Sequence, residues 1–319
     1  MAATKLNLNG RTALITGGAG GIGGAVATAL AARGANVVVT DISQSALEQA
    51  TATIPPAQLL AAAADVTNAK AMRALVDGAV DRFGRLDIVF ANAGIGPNPP
   101  STLRTTDPAD FANVVNVDLL GVWNTVQPAL EHVITNQGHI LLTASVYAFL
   151  NGTINGPYAA SKAAVEQLGR ALRTELSMHG ASAGVLYPGW VATRIASVAY
   201  GGDPHVTALV SHVYKGPLGT AISPERIARG VVPAIERRAA RVMIPGRWIP
   251  YSVLRGALNP LLDAAIVRDR TAIRLLRELE TARLGKQLGP SPTTRTSGPR
   301  AVGVPSADRT PRTSTRKTP

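Results

Sequence analysis

The chain of 319 residues contains no cysteine, which excludes disulfides, thiolate metal sites and a cysteine nucleophile together. Charged residues are scarce at 16%, against 46% hydrophobic, so there is enough apolar material to bury a sheet on both faces. No run of about 18 uninterrupted apolar residues occurs, and the opening MAATKLNLNGRTALITGG lacks the apolar region of an export signal. Neither a spanning helix nor export is expected, and the expected location is cytoplasmic. The five histidines, His132, His139, His179, His205 and His212, show no H-E-x-x-H or similar ligand spacing. No metal is expected. Nor is there a solenoid-like period.

The formal net charge of +12 resembles a nucleic-acid signal until it is located. Residues 286–319 hold Lys286, Arg295, Arg300, Arg309, Arg312, Arg316 and Lys317 against Asp308 alone, so seven minus one gives +6, half the total. The same stretch has six prolines and eleven Ser or Thr and almost nothing to bury, which reads as a disordered basic tail. A specific nucleic-acid partner is therefore not expected of the body. Adhesion of the tail to an anionic surface is the alternative to a plain solvated extension.

Along the chain, short β-branched or apolar runs alternate with longer Ala-rich segments. RTALIT, NVVVT, QLLAAAA, LDIVFA, HILLTAS, AGVLY and RVMIP read as strands. Helices are expected to about Arg33, through SALEQA, over 68–83, near 109–136, from Pro157 to about His179, and from Ser223 as N-cap with Pro224 in the first turn. Strands separated by helices imply parallel βαβ units, hence an α/β Rossmann fold: a doubly wound parallel sheet flanked by helices, in a single domain. Residues 1–246 form that catalytic unit in this reading. Residues 247–285, RWIPYSVLRGALNPLLDAAIVRD followed by TAIRLLRELETARL, add a helical extension that reads as a lid, a subunit contact or a membrane-interface element with Trp248 and Tyr251 at headgroup depth. The tail at 286–319 follows.

Between the first strand and first helix lies TGGAGGIGGAV, Thr16 to Val26. Glycines at such a junction let a pyrophosphate approach backbone N–H groups at the positive end of a helix, and the strand-loop-helix context gives a weak motif its force. Its spacing alone does not separate two branches of the fold. Asp41 ends the second strand eighteen residues after Gly23, where a carboxylate accepts hydrogen bonds from ribose hydroxyls and repels a 2′-phosphate. No Lys or Arg in the loop or directly after Asp41 offsets that repulsion, which favours NAD over NADP.

Tyr158 and Lys162 are four residues apart in YAASK, and Ser145 lies thirteen residues upstream. On a helix, positions i and i+4 share a face, which places the ammonium beside the phenol. A free tyrosine titrates near pH ~10, and a neighbouring cation moves it toward a useful range. Phenol, ammonium and hydroxyl then converge on one small carbonyl or alcohol, a proton-transfer site without metal.

In order along the chain stand Thr16-Gly17 to Gly23, Asn92-Ala93-Gly94, Asn116 in VNVDLLG, Ser145, Tyr158-x-x-x-Lys162 and Pro188-Gly189-x-Val191-x-Thr193. Together, over about residues 8–246, they resemble the classical short-chain dehydrogenases/reductases. The resemblance implies that Tyr158 is the proton donor or acceptor, that Lys162 lowers its pKa and binds the nicotinamide ribose, that Ser145 holds the substrate oxygen and that Asn116 supports a water relay. It also implies cofactor contacts at Thr16, Gly17, Gly21, Ile22, Gly23, Asp41, Asp65, Val66, Asn92, Ala93, Gly94, Tyr158, Lys162, Pro188, Gly189, Val191 and Thr193, with Asp65 and Val66 against the adenine and Thr193 at the nicotinamide carboxamide.

Two motifs depart from the commonest pattern, since Ala91 precedes Asn92-Ala93-Gly94 and Ala144 precedes Ser145. Neither change removes an assigned functional group. The expectation is an NAD-dependent alcohol dehydrogenase or ketone reductase, a homodimer or homotetramer. Its substrate is expected to be lipophilic, from the apolar stretch Thr193–Thr220 with Tyr200, Val206, Leu209, Val210, Tyr214 and Leu218; His205 and His212 are secondary candidates for that side. The competing readings are an inert NAD-sensing protein on the same fold and a membrane-associated lipid enzyme held through the C-terminal region.

Overall fold

The computed structural model describes residues 5–193, 196, 202–213, 216 and 219–288. Tyr200, Tyr214, Leu218 and the basic tail from residue 289 onward lie outside them.

Seven strands form one parallel sheet: β1 (Thr12–Thr16), β2 (Asn36–Asp41), β3 (Leu59–Ala63), β4 (Ile88–Ala91), β5 (His139–Thr143), β6 (Ser182–Pro188) and β7 (Arg241–Ile244). Their spatial order is β3-β2-β1-β4-β5-β6-β7, in registers such as Leu14 opposite Val38 on one side and Val89 on the other. Every residue of β1, β4, β5 and β6 is buried, the pattern of strands covered on both faces. The chain reverses its direction of travel between β1 and β4. That crossover opens a crevice at the carboxyl ends of the strands, the place where this architecture binds ligands.

On one face, α1 (Gly21–Ala31), α2 (Gln44–Thr51) and α9 (Pro224–Glu236) bury Val26, Leu30, Leu47, Ile227, Val231 and Ile235 against Ile15, Val39 and Leu186. The opposite face is covered by α3 (Ala69–Phe83), α5 (Gly121–Val126) and α7 (Gly156–Ser177), which bring Met72, Val76, Val122, Val126, Val165 and Leu172 onto Leu14, Val89 and Leu142. Side-chain caps start several of these helices. Asn68 accepts from Lys70 N and Ala71 N at 3.1 Å, and Ser223 accepts from Arg226 N at 3.4 Å with Pro224 in the first turn. Each cap is worth about 1 kcal/mol.

The helix expected over 109–136 is broken in two places. After α4 (Pro108–Val115) the chain widens into a π turn over Asn116–Leu120, continues as α5, tightens at Gln127–Ala129 where Pro128 lacks an N–H, and ends as α6 (Leu130–Thr135). The apolar stretch 193–220 carries α8 (Pro204–Val213).

The extension consists of α10 (Ile249–Arg268) and α11 (Arg270–Leu288), so helix continues to Leu288, past the expected boundary at 285. Trp248 is 1% exposed and Tyr251 stacks on Phe149 with ring centroids 5.8 Å apart. Both aromatics pack into the body, which corrects the headgroup placement expected for them. Arg255 forms a bidentate pair with Glu166 of α7 at 2.7 and 2.8 Å. The outer side of α10 leaves Val253, Leu254, Leu261 and Val267 exposed. No helix among the described residues is long and apolar enough to cross a membrane.

Candidate active site

A cleft of about 420 Å³ follows the crevice at the carboxyl ends of the strands. One end is built by the glycine loop and β2. A β-carbon at Gly23 would overlap the Gly17 carbonyl oxygen, so the loop closes onto the first turn of α1 only with glycine there. Gly17, Gly21 and Ile22 line the cleft, and the amino end of α1 faces it. Asp41 closes this end: Oδ2 accepts from Ala19 N at 3.0 Å and Oδ1 from Ile42 N at 2.8 Å. Thr16 and Gly23 stand behind the lining. Thr16 Oγ1 accepts from Asn92 N at 3.0 Å and Ala93 N at 3.1 Å, and Asn92 Nδ2 donates to Thr16 O at 3.1 Å. These bonds knit the ends of β1 and β4 beneath Asn92, Ala93 and Gly94, which do line the cleft.

Ser145 follows β5 by two residues, Tyr158 and Lys162 occupy the first turns of α7, and Pro188, Gly189, Val191 and Thr193 lie at and after the end of β6; all line the other end of the cleft. Lys162 is 2% exposed, yet its Nζ lies 2.9 Å from Asp118 Oδ2, donates to Thr143 O at 3.2 Å and sits 5.4 Å from the centroid of the Tyr158 ring. Burial opposes charge on Lys162, and the Asp118 carboxylate, by charge and hydrogen bond, together with the Tyr158 oxygen outweighs it, holding the ammonium above its ordinary value. Burial likewise pushes the Asp118 carboxyl up, against the pull of Lys162 and of the Ile95 N–H.

Tyr158 behaves differently from its sequence expectation. Burial pushes the phenol up, Lys162 pulls it down, Asp118 pushes it up again and a hydrogen bond with Ser145 pulls it down, with a net rise above the ordinary value. The lysine alone does not move the phenol into the neutral range, because burial outweighs its pull and the Asp118 carboxylate adds to the opposition.

The structure does not bring every expected residue to the cleft. Asn116 is exposed at the start of the π turn and is not among the lining residues. The wide turn rotates the chain so that Asp118, two residues later, points inward instead. Asp65 is exposed and its Oδ1 accepts from Thr67 N at 2.8 Å, closing a turn, while Val66 packs into the core beside α5. Val206 and Leu209 face α11, in a cluster with Ile154, Ala272, Leu275 and Leu279. His212 Nε2 lies 2.7 Å from Asp269 Oδ2, and neither His205 nor His212 lines the cleft.

In their place the cleft has walls that no sequence motif announces. Tyr147 stands edge-on to Tyr158 at 5.9 Å and to Trp190 at 5.5 Å, and Asn155, 3% exposed, donates to the Tyr147 hydroxyl at 3.2 Å. Their positions beside Ser145 and after Pro188-Gly189 were the available signal.

The residues fit a nicotinamide dinucleotide: a loop that a β-carbon would fill, a helix amino end suited to phosphates, a carboxylate at one end of the cleft and a phenol beside an ammonium at the other. The cis-4-hydroxycyclohexanecarboxylate dehydrogenase of Sinomonas cyclohexanicum is 32% identical over 223 residues, 69% of this chain and 87% of that one. Among solved structures, a short chain dehydrogenase/reductase from Burkholderia phymatum in complex with NAD superposes with a TM-score of 0.70 at 26% identity, over 79% of this chain and 95% of the other. An alcohol dehydrogenase from the archaeon Thermococcus sibiricus complexed with 5-hydroxy-NADP gives 0.63 at 26% identity, over 73% and 95%. The short chain dehydrogenase profile matches residues 11–200, and with this sheet order and cleft the chain belongs to the classical short-chain dehydrogenase/reductase family.

Proposed function

We propose that this oxidoreductase interconverts a secondary or primary alcohol and a ketone or aldehyde with NAD, and that Tyr158 carries the proton. The observation that carries this reading is the meeting of Ser145, Tyr158 and Lys162 at one end of a cleft whose other end holds the glycine loop and Asp41. The glycine loop, Asp41 and Lys162 would hold a nicotinamide dinucleotide, which would supply the hydride acceptor for oxidation of the alcohol carbon or, reduced, the hydride donor. As the phenolate, Tyr158 takes the hydroxyl proton when that carbon is oxidised, and as the phenol it gives the proton back on reduction, so charge does not build up on the oxygen. With its pKa held above the ordinary value, the phenol keeps its proton at neutral pH, the state that protonates a carbonyl oxygen. Ser145 Oγ, 6% exposed and fixed by accepting from Tyr147 N at 3.2 Å, is placed to donate to the same oxygen.

Asp41, with both carboxylate oxygens fixed by backbone N–H groups at the edge of the cleft, supports NAD over NADP. A lipophilic substrate is supported by Tyr147, Val146, Trp190 and Val191 around the catalytic end, in place of the 206–209 segment. For partners, the exposed Phe111, Leu120 and Trp123 on one flank support contact with a second copy of the chain, and the exposed stripe of α10 supports peripheral membrane contact.

Tyr158→Phe tests the central assignment. Turnover on a panel of ring and chain secondary and primary alcohols, read by nicotinamide absorbance, is expected to fall by about 10²–10⁴-fold while NAD binding persists. Activity within a few-fold of the parent would remove Tyr158 from the chemistry, and a parent inert across the panel with NAD bound would favour the sensing reading.

A further inference from the structure

Asp118 is a carboxylate with 0% exposure at the back of the catalytic end, on the π turn that follows α4. Its Oδ1 accepts from Ile95 N at 2.7 Å, and its Oδ2 faces Lys162 Nζ at 2.9 Å. A β-carbon at Gly94 would come within 3.1 Å of both Asp118 Oδ2 and Lys162 Nζ. Backbone after β4, carboxylate and ammonium are thus packed as one unit, with the Tyr158 ring over the ammonium. An uncharged amide would satisfy the Ile95 N–H equally well. What an acid adds at this place is charge.

We propose that Asp118 is a positioning residue of the catalytic centre: its carboxylate anchors the Lys162 ammonium against the segment after β4 and sets, by its charge, the pH range in which Tyr158 gives up its proton. This rests on the reading of Tyr158 as the proton carrier. Among the described residues, the charged groups acting on Tyr158 are Lys162 of the same helix and Asp118 of the π turn, with the neutral Ser145 hydroxyl approaching from beyond β5. Lys162 in turn faces Asp118 and Tyr158, and Asp118 faces Lys162 and the Ile95 N–H.

The sign follows from counting charge. With Asp118 ionised and Lys162 protonated, the trio is neutral while the phenol is intact and carries one net negative charge as the phenolate. Without the carboxylate it carries one net positive charge beforehand and none afterwards. In a buried site an ionisation that ends neutral is favoured over one that ends charged. Removing the charge of Asp118 therefore brings phenolate formation to lower pH, and the native carboxylate restrains it.

Asp118→Asn in the full chain isolates the charge, because the amide oxygen can still accept from Ile95 N. The protein is labelled with ¹³C at the tyrosine ring, Tyr158 is assigned by the signal lost in Tyr158→Phe, and its titration is followed in the parent and in Asp118→Asn, with circular dichroism reporting the fold at each pH. The expected result is a Tyr158 titration at least about one pH unit lower in Asp118→Asn, a tenfold gain in phenolate at a given pH. A titration at the same pH in both proteins, a shift upward, or no titration of Tyr158 in either over the range where the fold is intact overturns the proposal. Failure of the underlying reading shows separately, as turnover retained in Tyr158→Phe.

Discussion

Asp41 shows how much a single carboxylate decides. Its oxygens are held by the Ala19 and Ile42 N–H groups, so the charge stays at the cleft edge. In the proposed pose it meets ribose hydroxyls, which it accepts from, and it would meet a 2′-phosphate as a like charge. Asp41→Ala is expected to shift the ratio of kcat/KM for NAD over NADP toward NADP by about tenfold or more, the scale of ~1.4 kcal/mol. An unchanged ratio in steady-state assays with both cofactors would take Asp41 off the ribose. At this scale the sequence was most readable where chemistry depends on residue type and spacing: an acid at a strand end, a phenol four residues before an ammonium. It was least readable at Asn116 and Asp118, because a π turn changes which residue of VNVDLLG faces inward, and an expectation of regular helix carries no signal for the change.

At the scale of elements, the sheet needs both of its ends secured. The carboxyl ends are tied by Thr16 and Asn92 under the cleft, the amino ends by Asp87. Asp87 is fully buried and accepts from Thr12 N at 3.0 Å, from Arg11 Nη1 at 2.5 Å and from Arg85 Nε and Nη2 at 2.7 Å, while its own carbonyl accepts from His139 N at 2.9 Å. One residue thus links the starts of β1, β4 and β5, on the side away from the cleft. Asp87→Ala leaves two guanidinium groups and a buried N–H without their acceptor, and it is expected to cost about 3–5 kcal/mol of stability in denaturant unfolding. Because the site is remote, NAD affinity of the folded fraction is expected to stay unchanged. The strands themselves were legible from their β-branched runs, and the breaks at Pro128 and the π turn were not, since a long apolar periodicity masks short irregularities.

At the scale of the whole molecule, the C-terminal extension docks behind the aromatic wall of the cleft without lining the cleft itself. The sequence TAIRLLRELETARL reads as a charged, loosely amphipathic helix and points to no partner within the chain, and α11 buries Ala272, Leu275 and Leu279 against Val206 and Leu209 of α8 and Ile154 before α7. Its charges are spent on docking. Arg283, 8% exposed, reaches Asp203 Oδ2 and Pro100 O, both at 3.0 Å, and Glu280 Oε1 accepts from Thr102 Oγ1 at 2.7 Å. Those partners lie far away in the chain, which is why the docking was invisible in sequence. A second apolar hollow lined by Tyr147, Ile154, Leu209, Val210 and Leu276 puts α8 and α11 directly behind Tyr147, the aromatic wall beside Tyr158. Leu279 is fully buried at the centre of this contact. Leu279→Ala is expected to cost about 2–5 kcal/mol in the packing of α8 and α11. If those helices back the substrate wall, the loss appears as a raised KM for the alcohol, with KM for NAD and the fold of residues 12–193 little changed. Equal increases in both KM values in steady-state kinetics would mean that α11 supports the body as a whole and has no particular hold on the substrate end.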